Sequence, residues 1–233
     1  MFSQVNIESL RPKTANSHNS NTIDISWNID HSDESNSDLA FEFNSFSTSL
    51  KNEHLLFLAK HQNKFNNEVS FFSSSFCHIR YISGPSKSSP VTEWFLQTEF
   101  SGYSNYFHSR FVYGTGFRQE LFSEPAFRLF LGIGILQEKE EFKSFFTNKI
   151  RLSNYISLKY NINSSINLAF IQYAQPQIDQ FSDYKLLSEL KIDYQLSEKI
   201  STYSTVTFRY DNAPFSSQKP SYLKIKQGIK LYF

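Results

Sequence analysis

The sequence is short of three features that would each point to a common class of protein: cysteine, net charge and long apolar runs. It has a single cysteine, Cys77, so neither an internal disulfide nor a paired-cysteine metal or redox site can form. Its 23 basic and 22 acidic residues nearly cancel, which leaves no basic excess of the kind that binds nucleic acid. No run of about eighteen apolar residues occurs, which excludes a transmembrane helix.

Proline and glycine are also scarce, at seven residues each, and their positions are informative. The prolines lie in or beside polar connections, so none removes a hydrogen-bond donor from the middle of a β-rich run. Glycines in the middle of such runs, with no helix following, are not a nucleotide-binding loop, so no cofactor is predicted. We predict that they let the wall bend or let a bulky side chain lie against the backbone, the alternative being a ligand or plug in that space. These glycines share the parity of the charged residues: Gly114, Gly116, Gly132, Gly134 and Gly228.

Aromatic residues are abundant, at 17% of the chain, and they recur with a period of two. In "SDYKLLSELKIDYQL", Tyr184, Leu190 and Ile192 share one face of an extended strand, whereas Lys185 and Glu189 share the other. The pattern predicts strands near 20–31, 37–48, 53–62, 67–82, 91–101, 106–120, 127–138, 146–160, 165–174, 183–195, 199–211 and 220–233. Inside the last eight segments, every charged side chain falls on one parity.

This alternation predicts a sheet with one apolar and one polar face, which a soluble sandwich would also show. Strict exclusion of charge from the apolar face favours a lipid-facing surface over the core of a soluble protein, because a charge near the bilayer midplane costs about 2–4 kcal/mol. We therefore predict a single transmembrane, antiparallel, up-and-down β-barrel of about twelve strands over residues 20–233, with short loops on both sides. Residues 1–19 are predicted to be a polar N-terminal tail, with residues 1–3 as a remnant of a signal peptide.

The final strand carries a motif of its own. The eight residues "KQGIKLYF" run polar, any, glycine, any, any, apolar, any, aromatic. This order resembles the C-terminal assembly signal of bacterial outer-membrane barrels, with Lys226, Gly228, Leu231 and Phe233 at its defining positions. The resemblance implies that barrel assembly machinery is a partner during biogenesis.

A second resemblance covers roughly residues 65–233. The stretches "CHIRYISG", "WFLQTEFSGYSNYFHSRFVYGTGFRQEL", "LFLGIGILQEKEEF" and "QPQIDQFSDYKLLSELKIDY" resemble a family of unknown function labelled "salt-induced outer membrane protein". The resemblance implies a multi-pass β-barrel in the bacterial outer membrane, exported with a cleaved signal peptide. It implies no activity, substrate or catalytic residue.

Charged residues on the inward parity are the candidate functional residues. They could line an ion path or a polar binding cavity, or they could form a salt-bridged network that fills the lumen. Twelve strands lie between the filled interior of eight-stranded barrels and the aqueous channel of sixteen-stranded ones. The predicted lumen-lining residues are Arg110, Arg118, Arg128, Arg151, Glu189, Lys191 and Arg209.

Catalysis and metal binding are not predicted. A barrel lipase needs a serine and a histidine within reach of each other, but Ser109 and His108 are adjacent in a strand and point to opposite faces. His18, His31 and His54 have no metal-ligand spacing with carboxylates that exceeds chance.

Short connections leave little material for a receptor, a plug or a lid. The first hypothesis is therefore a narrow channel with a polar, charge-lined lumen. The second is a non-catalytic structural or accessory subunit of a larger outer-membrane complex, and a lipid-acting enzyme is a distant third. Outer-membrane lipid and other outer-membrane proteins are the expected partners, and nucleic acid is not.

Overall fold

The computed structural model describes residues 19–31, 35–48, 54–65, 72–83, 90–103, 106–142, 145–214 and 220–232. Twelve strands occupy most of these ranges. They are β1 (Asn19–His31), β2 (Ser35–Thr48), β3 (His54–Phe65), β4 (Phe72–Ser83), β5 (Val91–Tyr103), β6 (Tyr106–Ser123), β7 (Phe127–Phe142), β8 (Phe145–Asn161), β9 (Ile166–Pro176), β10 (Tyr184–Gln195), β11 (Ile200–Asp211) and β12 (Ser221–Tyr232). Most of the tail predicted over 1–19 lies outside the described residues, and β1 begins at Asn19.

Each strand pairs antiparallel with its neighbours in the chain, and β1 pairs with β12 to close the barrel. The closing register sets Asp24 opposite Lys230 and Ser26 opposite Gly228. The predicted all-β, up-and-down architecture is confirmed. In the described ranges, no helix has the length and apolar character needed to cross a membrane.

The barrel has two distinct ends. The connections β1–β2, β3–β4, β5–β6, β7–β8, β9–β10 and β11–β12 lie at one end, here called the loop end. The start of β1 and the end of β12 lie at the other, here called the terminal end.

Strands β6 and β7 are longer than the sequence pattern predicted. β7 was expected to end near 138 but continues to Phe142, and β6 continues past 120 through a β-bulge between Glu120 and Phe122. The extra residues of β7 place Lys139 and Glu141 on the outward parity, opposite Asn148 and Phe146 of β8. Charged side chains therefore occur on the outer face at the loop end. There the β7–β8 hairpin extends beyond the part of the outer face that carries only uncharged side chains, here called the apolar band.

The wall separates an apolar outside from a polar inside. Outward side chains are large and exposed, among them Trp94 (55%), Phe117 (64%) and Ile133 (56%). Inward side chains are mostly buried and polar, and many are charged, among them Glu138 and Arg151, each 0% exposed. A soluble globular protein distributes these classes the other way round, so the barrel surface is suited to an apolar surrounding.

Three inward glycines each lie directly opposite an aromatic residue on the neighbouring strand. Gly114 pairs with Phe95, Gly132 with Tyr155 and Gly228 with Tyr203. A Cβ added to Gly114 would lie 2.6 Å from Phe95 Cζ, and one added to Gly228 would lie 2.5 Å from the Tyr203 hydroxyl. The prediction that bulky inward side chains lie against glycine backbone is confirmed for these pairs.

Candidate functional site

The inward faces of β6, β7, β8, β10 and β11 and the connection between β9 and β10 bring a set of ionised side chains together at the loop end. We call this set the mouth cluster. Its members are Arg110, Glu138, Glu140, Lys149, Arg151, Asp183, Lys185 and Asp211.

Glu138 of β7 is the centre of the mouth cluster. Its Oε1 accepts a hydrogen bond from Arg110 Nε at 2.7 Å, and its Oε2 accepts one from Arg151 Nε at 2.7 Å. Lys185 Nζ donates to both oxygens at 3.0 Å. Lys185 belongs to β10, which is separated from β7 by two strands, so this contact crosses the barrel interior.

A second carboxylate layer supports the same cations. Glu140 Oε2 lies 3.0 Å from Lys185 Nζ, and Glu140 Oε1 lies 3.5 Å from Arg110 Nε. Asp211 adds a weaker contact, with Oδ2 at 3.7 Å from Lys185 Nζ. Buried charges cost free energy unless they are paired. Arg110 and Lys185 each have more than one acidic neighbour.

The connection between β9 and β10 contributes the last carboxylate of the cluster. Asp183 Oδ2 lies 2.6 Å from Lys149 Nζ, and Arg151 Nη2 donates to Asp183 Oδ1 at 2.8 Å. Burial alone would raise the pKa of Asp183, but the hydrogen bond from Lys149 and the charge of Arg151 outweigh burial and hold this pKa below its ordinary value.

The middle of the lumen contains a packed group of aromatic and aliphatic side chains. Tyr155 and Tyr173 have ring centroids 5.1 Å apart and pack with Ile171 and Leu187. The Tyr155 hydroxyl donates to Glu93 Oε2 at 2.9 Å across the barrel, from β8 to β5. Aromatic and aliphatic side chains therefore occupy this part of the lumen.

A smaller group of charges surrounds Tyr203 near the terminal end. The Nζ atoms of Lys191, Lys230 and Lys226 lie 4.7, 5.0 and 5.2 Å from the Tyr203 ring centroid. The Tyr203 hydroxyl donates to Asp24 Oδ1 at 2.5 Å. This bond links β11 to β1 across β12, on the lumen side of the barrel. Cations placed around one ring face gain cation–π attraction that partly offsets their mutual repulsion.

The predicted lumen-lining residues differ in how the structure places them. Arg110, Arg118, Arg151 and Lys191 are buried, and Arg118 stacks over Phe130 with its guanidinium carbon 3.7 Å from the ring centroid. Arg128 is more open, with its side chain 43% exposed and its Nε 2.7 Å from Glu120. Glu189 and Arg209 are half-buried.

The predicted assembly signal is described only in part. Lys226 and Gly228 lie on the inward face of β12, against Tyr203. Leu231 is outward and 40% exposed, and Phe233 lies outside the described residues. Recognition of these residues by assembly machinery stays a prediction.

Six members of the mouth cluster were missing from the predicted site: Glu138, Glu140, Lys149, Asp183, Lys185 and Asp211. Parity within the predicted strands marks Glu138, Lys149, Lys185 and Asp211 as inward. Glu140 follows the expected end of β7, and Asp183 precedes the first residue of β10. Their convergence on Arg110 and Arg151 depends on contacts between strands that are not neighbours.

His108 and Ser109 lie as predicted on opposite faces of β6, with His108 buried and Ser109 half-buried. Within the described ranges, no group of three or more His, Cys, Asp or Glu side chains is placed to hold a metal ion.

Comparison with known proteins gives a family and a fold. The family described as "Protein of unknown function, DUF481" matches residues 83–223, more than half of the chain. No curated protein sequence matches. The label "salt-induced outer membrane protein" stays a prediction, because the family description does not include it.

Several solved structures are similar in fold. The chain aligns with the NanC porin at a TM-score of 0.59 and 9% identity, over 90% of this chain and 98% of that chain. It aligns with the translocator domain of autotransporter NalP from Neisseria meningitidis at a TM-score of 0.56 and 7% identity, over 95% of this chain and 90% of that chain. The KdgM porin in complex with disordered oligogalacturonate aligns at a TM-score of 0.51 and 10% identity, over 91% of this chain and 99% of that chain. At these identities the likeness concerns the fold.

Proposed function

The chain belongs to the DUF481 family of proteins of unknown function, and on this premise we propose that it is a non-catalytic, multi-pass barrel of the bacterial outer membrane with a narrow, charge-lined lumen that passes small solutes. The observation that carries the proposal is the division of the wall: charged side chains point inward and apolar ones outward around a closed twelve-strand barrel. Lipid requires such closure, because unpaired backbone groups cost several kcal/mol there. The porin fold of its structural neighbours supports the same proposal.

Accessibility inside the barrel indicates where the path would run. The mouth-cluster side chains Glu138, Glu140, Arg151 and Lys185 are buried. Arg209, Lys224 and Lys226 on β11 and β12 are half-buried. Solutes would therefore pass along the β11–β12 side, beside cationic groups. A lumen with this lining would favour anions over cations.

Planar-bilayer recordings of the purified, refolded protein test the channel. We expect small, stepwise conductance with a reversal potential that favours anions, and Lys224→Gln should reduce this preference. Lys139→Gln is the matched control, since it removes one positive charge from the outward face of β7. Absence of conductance at any voltage that the bilayer tolerates would contradict the channel.

A structural or accessory role is the second candidate, and a groove on the outer wall favours it. The groove has a volume of about 520 Å³ and is lined mainly by apolar residues of β5 to β8, among them Trp94, Tyr113, Thr115, Ile135 and Ile150. Concave apolar surfaces commonly take part in protein–protein contacts. Another outer-membrane protein is the partner that this surface would fit.

Co-purification from mildly solubilised native membranes tests the accessory role. Thr115→Trp, which fills the groove, should reduce recovery of a partner, whereas Ser204→Trp on the outward face of β11 should not. A monomer free of other proteins would count against this candidate. The membrane assignment itself predicts a heat-modifiable gel shift and β-rich circular dichroism, and solubility without detergent would refute it.

A further inference from the structure

The connection between β9 and β10, residues 177–183, is held against the barrel rim. We call these residues the strap. Gln177 pairs with Arg151 as an isolated β-bridge, and the Ile178 amide donates to the Ile150 carbonyl at 2.9 Å. Within the strap, the Gln177 amide donates to the Asp183 carbonyl at 2.8 Å. The Asn212 side chain also donates to the Ser182 carbonyl, which ties the strap to the β11–β12 connection.

Only one end of the strap enters the lumen. Phe181 is 64% exposed, and Asp179, Gln180 and Ser182 are also exposed, whereas Asp183 is 4% exposed. The carboxylate of Asp183 lies between an ammonium and a guanidinium group, with hydrogen bonds of 2.6 Å from Lys149 and 2.8 Å from Arg151. This is the arrangement in which a cationic site binds a free carboxylate or phosphate.

The two cations come from the rigid wall, and the carboxylate comes from a connection. Lys149 and Arg151 are two residues apart on the inward face of β8, so they stay together whatever the strap does. The Lys149 side chain is 22% exposed, so a solute at the mouth can reach it. Both side chains face the lumen, which excludes a lipid headgroup on the outer wall as the ligand.

Charge balance supports an exchangeable carboxylate at this position. The mouth cluster contains four cations (Arg110, Lys149, Arg151 and Lys185) and four carboxylates (Glu138, Glu140, Asp183 and Asp211). Withdrawal of Asp183 leaves one positive charge in excess. Arg151 keeps its bond to Glu138 through Nε. The excess positive charge therefore lies on Lys149 and on the Nη2 side of Arg151, which Asp183 no longer contacts.

We propose that Lys149 and Arg151 form an oxyanion-binding site at the loop-end mouth of the lumen, and that Asp183 occupies this site as an internal surrogate that an entering carboxylate or phosphate displaces. The proposal deepens the proposed channel function and rests on it for its physiological meaning. The geometry, however, predicts binding whether or not the lumen conducts.

Binding of citrate to detergent-folded variants tests the site, with sucrose as the neutral control ligand. Asp183→Asn should bind citrate about tenfold or more tightly than the natural chain, because the internal competitor loses its charge. Asp179→Asn is the matched control: it removes the same charge from the same strap, and Asp179 accepts a hydrogen bond from Gln177 in the strap itself. The double variant Lys149→Met, Asp183→Asn should lose the gain. Equal citrate affinity for Asp183→Asn and Asp179→Asn would overturn the proposal.

A second measurement uses the natural chain and does not depend on a folded variant. Chymotrypsin should cut after the exposed Phe181 severalfold faster in citrate than in sodium chloride of equal ionic strength, because displacement of Asp183 releases the strap. An unchanged rate at saturating citrate would also overturn the proposal. Binding by Asp183→Asn without conductance by any variant would leave the site intact and refute the channel. Conductance without tighter citrate binding by Asp183→Asn would leave the channel intact and refute the site.

Discussion

Replacement of Glu138 by glutamine is expected to be the most destabilising isosteric change in the lumen. Glu138 accepts hydrogen bonds from three cationic side chains and is itself 0% exposed. Removing one partner of a buried ion pair costs about 3–5 kcal/mol. Each of the three cations keeps another carboxylate: Arg110 and Lys185 keep Glu140, and Arg151 keeps Asp183.

Because these pairs remain, we expect the free energy of unfolding to fall by about 3 kcal/mol, near the lower limit of that range. That corresponds to roughly a hundredfold change in the ratio of folded to unfolded protein. Urea unfolding from lipid vesicles measures this loss, with the fluorescence of the two tryptophans as the signal. One of them, Trp94, is outward and 55% exposed. The midpoint should fall while the slope against urea stays constant, because the exposed surface is unchanged.

Glu120→Gln is the matched control for this experiment. Glu120 is also inward on a long strand, but its partner Arg128 has a side chain 43% exposed, so the pair should contribute no more than about 1 kcal/mol. Lys185→Met should partly restore stability to Glu138→Gln, because the cluster then again contains as many cations as carboxylates. Equal unfolding midpoints for Glu138→Gln and Glu120→Gln would refute the larger cost expected for Glu138→Gln.

Three further predictions concern the wall, the strap and the outer face. Gly132→Ala should destabilise the barrel by about 1–3 kcal/mol through overpacking, because the new Cβ would overlap the Tyr155 ring, and Tyr155→Leu in the same chain should recover most of the loss. The pKa of Asp183 is lower in the folded than in the unfolded chain, so its stabilisation is complete above the unfolded pKa of 3.8 and is lost as pH falls through the folded pKa. The unfolding midpoint of the natural chain should therefore drop more steeply below about pH 4 than that of Asp183→Asn. On the outer face, Ile133→Arg should cost about 2–4 kcal/mol in lipid vesicles, whereas Glu141→Arg beyond the apolar band should cost less than about 1 kcal/mol. Equal costs at these two positions would contradict the placement of the band.

The direction of each side chain could be predicted from the sequence because a strand has a period of two. Parity alone identified Arg110, Arg151 and Lys191 as inward and Leu231 as outward, as the structure places them. Strand ends were harder to predict. Near 138 the outward face of β7 changes from apolar residues to Lys139. A charge on that face is typical of a loop, but the hydrogen-bonded pairing of β7 with β8 continues beyond it.

The partners within the mouth cluster could not be predicted by such a pattern. Lys185 reaches Glu138 across two intervening strands, and no period along the chain relates these two positions. Asp183 belongs to a connection, where parity has no meaning, and its burial follows from the backbone bonds that hold the strap to β8. Contacts across a lumen depend on the curvature of the closed barrel.

The glycine–aromatic pairs have a consequence for how the barrel could be checked for errors as it assembles. A slip of two residues between strands preserves the inward and outward alternation, so the hydrophobic pattern does not penalise it. Such a slip at β11–β12 would move Tyr203 from Gly228 to a lysine at 226 or 230, whose Cβ would occupy the space of the ring. Gly228 is also aligned with Ser26 across the closing seam. One residue without a side chain thus discriminates the correct register of β11 and β12, the strand that closes the cylinder, from registers shifted by two residues.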